Sequence, residues 1–415
     1  MKITHLKSRQ IFDSRGLPTV ETDLIIENEH FGRASVPSGA SKGIFEAIEL
    51  RDQKKEYHGK GVLIAVGKLN NEIKKKLIGK TFYSQKDLDE YLIELDGTDN
   101  KSNFGANTIL SISIAFAKAE AKFKNKHLFE SICFQKKYYL PKPMLNVING
   151  GIHGDNGLDI QEFMIVPVKY SSIVANLKIA CEVFHALKKI LKGKSFRTNT
   201  GDEGGFAPEI SSTQDALELI MESIMASGYQ PGKDVCIALD VAANELYHDS
   251  KYVFQSHNTQ LSNNDLVQYY EKLCDKYPII SIEDPFFEKD YEGWKLLNKN
   301  IGNKIHIVGD DLFVTNPQKI NKRKNLANSI LIKMNQIGTV SETLESIRVA
   351  NRNGFVNIIS HRSGETEDTT ISHLAVATNS PFIKAGSISR TDRVCKYNEL
   401  IRIEESILMS QNVTI

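Results

Sequence analysis

The sequence predicts an α/β protein whose larger part is a barrel of βα units, preceded by a smaller α+β domain. Three observations carry this. Short apolar runs recur through the second half of the chain: "VCIALD", "IISIED", "IHIVGDD", "SILIKM", "VNIISHR" and "PFIKAG". Between them lie stretches with the apolar spacing of one-sided helices, such as "TQDALELIMESIMASG", "SETLESIRVANRNG" and "DTTISHLAVATN". Each run also carries a charged side chain at or near its carboxyl end. Continuous apolar strands separated by such helices imply a parallel sheet buried on both faces. These units, with irregular strands such as "IQEFMIVP" ahead of them, suffice to close a ring rather than leave an open sheet.

Ahead of the barrel, "TVETDLIIEN" alternates as a strand and "NTILSISIAFAKAEAKF" has the spacing and length of a helix. "VPSGASKGIFEAIELRD", residues 36–52, reads as a Ser/Gly-rich loop leading into a helix, of the kind that folds over a site and excludes water. The prolines and paired glycines of "YYLPKPMLNVINGG" punctuate the chain as a boundary does. The junction therefore falls near Pro141, with residues 1–135 as a capping domain and 136–415 as the barrel domain.

Composition narrows the function. The 415 residues carry a formal net charge of +1, so no global field draws the chain to nucleic acid or to an anionic membrane. No stretch approaches the roughly 18 apolar residues of a membrane span, and "MKITHLKSRQ" lacks a signal peptide's apolar core, so a cytoplasmic protein is expected. The cysteines at 133, 181, 236, 274 and 395 lie far apart with no C-x-x-C pair; they read as buried apolar residues, not as disulfide or zinc partners.

The polar ends of the runs carry the chemistry. Asp240, Glu283, Asp310, Lys333, His361 and Lys384 stand at or just past carboxyl ends of strands, the face where such barrels place their active sites. One acidic residue at a strand end is ordinarily a cap or turn former. Three converging on one mouth would repel strongly, and a divalent cation removes the conflict; hard oxygen ligands suit Mg²⁺ better than zinc. Lys333 is either a structural partner of these acids or a base, because burial and a second lysine, Lys384, both favour its neutral form. The loop "TGDEGGFAP", residues 200–208, presents Asp202 and Glu203 on a tight turn and matches neither a P-loop nor a dinucleotide fingerprint. In "SHRSGETED", residues 360–368, Arg362 and Ser363 precede a helix whose first N–H groups would suit a phosphate.

Taken together, "RQIFDSRGLPTVETDL", "SGASKGIFEAIELRD", "NVINGGIHGDN", "IQEFMIVP", "GDEGGFAP", "SIEDPF", "VGDDLFVTNP", "LIKMNQIGT", "SHRSGETEDT" and "SRTDRVCKYNELIRIEE" resemble, in order and over nearly the whole chain, the enolase family, its bacterial members above all. The resemblance implies an eight-stranded mixed α/β (TIM-like) barrel, its first strands antiparallel, behind an N-terminal α+β domain. It implies reversible dehydration of 2-phospho-D-glycerate to phosphoenolpyruvate and water in glycolysis and gluconeogenesis. It implies two Mg²⁺ per active site: Asp240, Glu283 and Asp310 hold the first, and Ser41 helps bind the second with substrate. Lys333 is then the base and Glu203 the acid, with Glu162 sharing its proton network. Arg362 and Ser363 grip the phosphate, His153 approaches it, Lys384 meets the carboxylate, and Gln161 and His361 are further contacts. The family also implies a homodimer or higher oligomer, and partners in an RNA-degradation assembly or at a cell surface.

Three positions depart from the family pattern: Lys42 and Ala385, each where threonine is common, and His373, where aspartate is common. Lys42 motivates an alternative, a paralogue dehydrating a related phosphorylated or phosphonate hydroxy acid. A non-catalytic binding protein is the alternative of a different class, and loss of the catalytic set would have marked it.

Overall fold

The alternating apolar residues at the start of the chain form an antiparallel sheet of β1 (Ile3–Phe12), β2 (Pro18–Ile26) and β3 (His30–Ser35). The structure, a computed structural model, describes residues 1–410 except Ala40, Ser41, Lys42, Ile44, Phe134, Lys136, Asp155, Ser211 and the side chain of His257. After α1 (Gln85–Asp96), α2 (Ala106–Phe123) packs across β2 and β3. Helix α2 is buried nearly all round, with Asn107, Thr108, Ser111, Ser113 and Glu120 buried beside its apolar residues. The fit against the sheet is close: a Cβ on Gly32 of β3 would lie 1.9 Å from the carbonyl oxygen of Ala115.

The barrel strands are β4 (Lys142–Asn149), β5 (Glu162–Pro167) and β6 (Val235–Asp240). They are followed, after a small separate sheet of β7 (Tyr247–His248), β8 (Lys251–Phe254) and β9 (Thr259–Leu261), by β10 (Ile279–Glu283), β11 (His306–Gly309), β12 (Ser329–Ile332), β13 (Val356–Ser360) and β14 (Phe382–Lys384). They close in the order β10-β11-β12-β13-β14-β4-β5-β6, and every neighbouring pair is parallel except those of β5, which runs antiparallel to β4 and β6. Helices α3 (Ile173–Gly193), α4 (Thr213–Ala226), α5 (Asn263–Lys276), α6 (Tyr291–Ile301), α7 (Pro317–Lys322), α8 (Val340–Arg352), α9 (Thr370–Ala377) and α10 (Thr391–Ser410) accompany the strands.

Alternation along each strand explains what reaches the mouth. A separate apolar cluster of Met144, Met164, Val166, Cys236, Ala238, Val308, Leu331 and Ile358, with Phe382 against it, fills the ring. Side chains two apart share a face. Asp240 follows Ala238 by two, Asp310 follows Val308, Lys333 follows Leu331, and Lys384 follows Phe382, so the same pleat that fills the core lifts these groups to its rim. On β5 the direction is reversed, and Glu162, two before Met164, is the mouth residue.

Some expectations fail. Residues 45–52 form no helix, because their backbone groups bond to other segments: Ala47 N donates to Gln336 O (2.9 Å), Leu50 N to Asn107 Oδ1 (3.1 Å), and Ile48 O accepts from Ala106 N (2.7 Å). The helix expected to follow Arg362 and Ser363 begins only at Thr370. The N–H groups of Arg362 and Thr366 are capped instead by the two carboxylate oxygens of Glu365, each at 3.1 Å. All five cysteines are free thiols, and Cys236 alone among them is buried, the other four being half-buried.

Candidate active site

A polar cavity at the mouth is lined by His153, Gln161, Glu162, Glu203, Asp240, Asp310, Lys333, His361, Arg362, Ser363 and Lys384, and by Glu46, Asp284 and Asp311. Glu283 joins it through Lys384. Every site residue expected from the sequence thus gathers here except Ser41, which with Lys42 lies outside the described residues.

Lys384 is the central cation. Its buried Nζ donates to Asp240 Oδ2 (2.9 Å) and Glu283 Oε2 (2.8 Å) and lies 3.2 Å from Glu162 Oε1. Burial opposes its charge, but these carboxylates outweigh burial and hold its pKa well above the ordinary value. Lys333 Nζ donates to Asp310 Oδ2, whose other oxygen accepts from Gln336 Nε2 at 2.8 Å. Burial alone would lower the Lys333 pKa; the Asp310 charge more than offsets it, while Arg362 and Lys384 act with burial. Thr315 Oγ1 accepts from Lys333 N (2.9 Å) and donates to Gln336 Oε1 (2.8 Å), so one hydroxyl ties the base candidate to the residue that orients Asp310.

The acids of β6, β10 and β11 occupy adjacent strand ends, and Glu283 is in register with Asp240. Burial and the Asp240 charge push the Glu283 carboxyl well up, the mark of a donor set short of positive charge. Asp284, Asp310 and Asp311 also bring carboxylate oxygens within 4.8 Å of one another. Asp284 is a structural member of that group, since it accepts from the backbone N–H of Asp310 (2.8 Å) and of Asp311 (3.0 Å). An all-oxygen set of this kind fits a hard divalent cation, and the three strand-end acids expected to hold one, Asp240, Glu283 and Asp310, stand on this stretch of the rim. The doublets "ED" and "DD" are the sequence signal for Asp284 and Asp311, which the strand-end pattern alone does not single out.

Next to Asp240, on the side of β5, lies a second group, His153, Glu162 and Glu203, again with ligand-type atoms within 4.8 Å. His153 Nδ1 is 3.5 Å from Glu162 Oε1 and 3.7 Å from Glu203 Oε1, and its Nε2 is 3.3 Å from Ser363 Oγ. Burial and the Glu203 charge raise Glu162 to about 7. Burial would lower His153, but Glu203 and Glu162 raise it to about 9. Glu203 would itself be raised by burial; the facing His361 and His153 outweigh that and hold it well below the usual carboxylate range. It is presented by Gly204, whose φ is +87° and whose added Cβ would lie 2.4 Å from Ser389 O, a position only glycine fills without strain. Asn146 Nδ2 donates to Glu203 Oε2 (3.3 Å), and Gln161 Nε2 to Asp240 Oδ2 (3.4 Å). Arg362 is paired with Glu46, Nη1 to Oε2 at 3.1 Å and Nη2 to Oε1 at 3.3 Å. No sequence pattern marks Asn146, Gln336 or Glu46, which join the site through their contacts with Glu203, Asp310 and Arg362.

Of the departures, Ala385 is buried directly after Lys384, and His373 is remote from the mouth, its Nε2 3.1 Å from Glu399 Oε1. Among the described residues, no helix is long and apolar enough to cross a membrane. Comparison with known families gives two matches: the enolase N-terminal domain over residues 3–132, and the enolase C-terminal TIM barrel domain over residues 137–413.

Proposed function

The chain belongs to the enolase family, whose members are divalent-metal lyases, and from that premise we propose that it dehydrates 2-phospho-D-glycerate reversibly to phosphoenolpyruvate and water. One observation carries this reading. Lys333 follows β12 and Glu162 opens β5; in the closed ring of eight these strands are four apart, directly opposite each other. Glu203 lies beside Glu162, and the acids of β6, β10 and β11 form the arc between. A base on one wall and an acid on the other suit an anti elimination, in which a proton leaves one face of the substrate and hydroxide the opposite face.

In this reading Lys333 takes the C2 proton in its neutral form, which burial, Arg362 and Lys384 favour against the hold of Asp310. A divalent cation, Mg²⁺ by the hardness of the ligands, supplies when bound the positive charge that a dianion α to a carboxylate requires. Glu203 delivers a proton to the departing hydroxyl. Glu162, raised to about 7, holds a proton beside it for this purpose, and His153 touches both carboxylates. Arg362 and Ser363 bind the phosphate, and Lys384 the carboxylate. A second Mg²⁺ held with the help of Ser41, a cytoplasmic setting, a homodimer and the division into domains 1–135 and 136–415 belong to the same proposal.

Ultraviolet absorbance follows enol phosphate directly. Activity on 2-phosphoglycerate is expected with Mg²⁺, none with EDTA, and a loss of about 10²–10⁴-fold in Lys333→Ala. Turnover persisting in that variant refutes the assigned base, and a clear preference for a phosphonate analogue over 2-phosphoglycerate refutes the assigned substrate.

A further inference from the structure

Arg393, near the start of α10, is fully buried, and its guanidinium is committed to two separate segments. Nη1 bonds to His361 Nδ1 and donates to Arg362 O at 2.6 Å; Nη2 donates to Ser363 O at 2.5 Å and to Asp202 O at 3.2 Å. Nε lies 2.8 Å from Asp392 Oδ2. The side chain thus staples the phosphate-gripping stretch 361–363 to the loop that presents Glu203.

The contact with His361 has a chemical consequence. A guanidinium offers only donors, so Nδ1 is the acceptor, and a neutral ring then carries its proton on Nε2. That nitrogen is the one facing Glu203 Oε2, at 3.5 Å. We propose that Arg393 is a positioning residue that locks His361 in its Nε2–H tautomer and aims that N–H at Glu203. Fixing a tautomer through the far ring nitrogen is how a partner controls a histidine's function. The ring stays neutral: burial, helped by the Arg393 charge, pushes His361 down to about 4 against the pull of Glu203 and Glu365. The other groups facing Glu203 are His153 and Asn146, with Glu162, Lys384 and Arg393 adding their charges. His361 therefore supplies a directional donor, and the cationic His153 the opposing charge. The catalytic consequence rests on Glu203 being the acid; the tautomer does not.

The test is nitrogen NMR of the full chain with ¹⁵N-labelled histidine, His361→Gln serving to assign the ring. In the unaltered protein one His361 nitrogen, Nδ1, is expected in the unprotonated range and Nε2 in the protonated range, unchanged between about pH 6 and 8. Arg393→Lys keeps the charge but loses the planar fork. In that variant the two signals are expected to move toward each other. With them kcat should fall at least tenfold, KM should stay within about twofold, and the acid limb of the kcat–pH profile should shift. An Nδ1–H ring or an imidazolium in the unaltered protein overturns the proposal, as do unmoved ring signals in Arg393→Lys. Should Arg393→Lys not fold, the spectrum of the unaltered protein decides alone. Inactivity on 2-phosphoglycerate would refute the substrate while leaving the tautomer result standing.

Discussion

Replacing Lys384 by methionine keeps most of the side-chain volume and removes the charge at the centre of the mouth. Its Nζ lies 2.8–3.2 Å from carboxylate oxygens of Glu283, Asp240 and Glu162, and the residue is only 3 % exposed. Removing one partner of a buried ion pair costs roughly 3–5 kcal/mol, because it leaves uncompensated charge out of water. With an unfolding entropy of about 2.1 cal/mol/K per residue, a chain of this length should lose roughly 3–6 °C in Tm. The loss should be incomplete at low pH, since Glu283 and Glu162 already have raised pKa values and take up protons readily. A divalent cation is the alternative neutraliser, so Mg²⁺ should raise the Tm of Lys384→Met by more than that of the unaltered protein, beyond the roughly 2.7 kcal/mol expected of any site at a hundredfold excess over Kd. The assay is a thermal melt by circular dichroism in EDTA and in graded Mg²⁺. Equal Tm values in EDTA, or a smaller Mg²⁺ shift in the variant, would refute the reasoning that these three acids share one deficit of positive charge.

The Glu399 carboxyl is held down to about 2, chiefly by the hydrogen bond from His373 and secondarily by Arg402 against burial. A depressed folded pKa contributes stability above the unfolded value of about 4.5, and that stability is lost as pH falls toward 2. Discounted for partial exposure, His373→Ala should cost roughly 1–2 kcal/mol in urea melts at pH 6. That difference should shrink steadily between pH 4.5 and 3, and a pH-independent difference would mean that the ring acts by packing alone. Gly204→Ala, at φ +87° and against Ser389 O, should cost roughly 1–3 kcal/mol and lower kcat through Glu203; full activity would show that the loop relaxes freely.

What the sequence made legible is set by locality. Asp240, Asp310, Lys333 and Lys384 could be found because one pleat governs both the apolar filling of the ring and the polar rim two residues on. The rule that strand carboxyl ends bear the chemistry misses Glu162, since β5 runs backward and its first residue faces the mouth; only the resemblance supplied it. Residues 45–52 read as helix by their spacing but are held open by Gln336, Asn107 and Ala106, partners that no local pattern reveals. Glu365 and Arg393 were equally hidden. Both act on backbone groups of the 361–366 stretch, Arg393 from some thirty residues away in sequence, so their roles exist only once the chain has folded.

The mouth is built from pairs, not from isolated charges. Asp310 holds Lys333, Asp240 and Glu283 share Lys384, Glu46 holds Arg362, and Glu162 and Glu203 face His153. Each cation is also a group assigned to the substrate or its proton, and each acid of the first two pairs is also one proposed to hold the divalent ion. A substrate anion arriving with a cation can therefore exchange partners with these pairs, and no charge need be buried alone at any step. Such an exchange links the two protonation changes the proposed dehydration needs. Whatever draws Asp310 away from Lys333 frees the amine to become neutral, and whatever draws Lys384 toward a carboxylate ligand removes the cation that lowers Glu162. The proposed base and acid then become competent together, on opposite walls, from the same event.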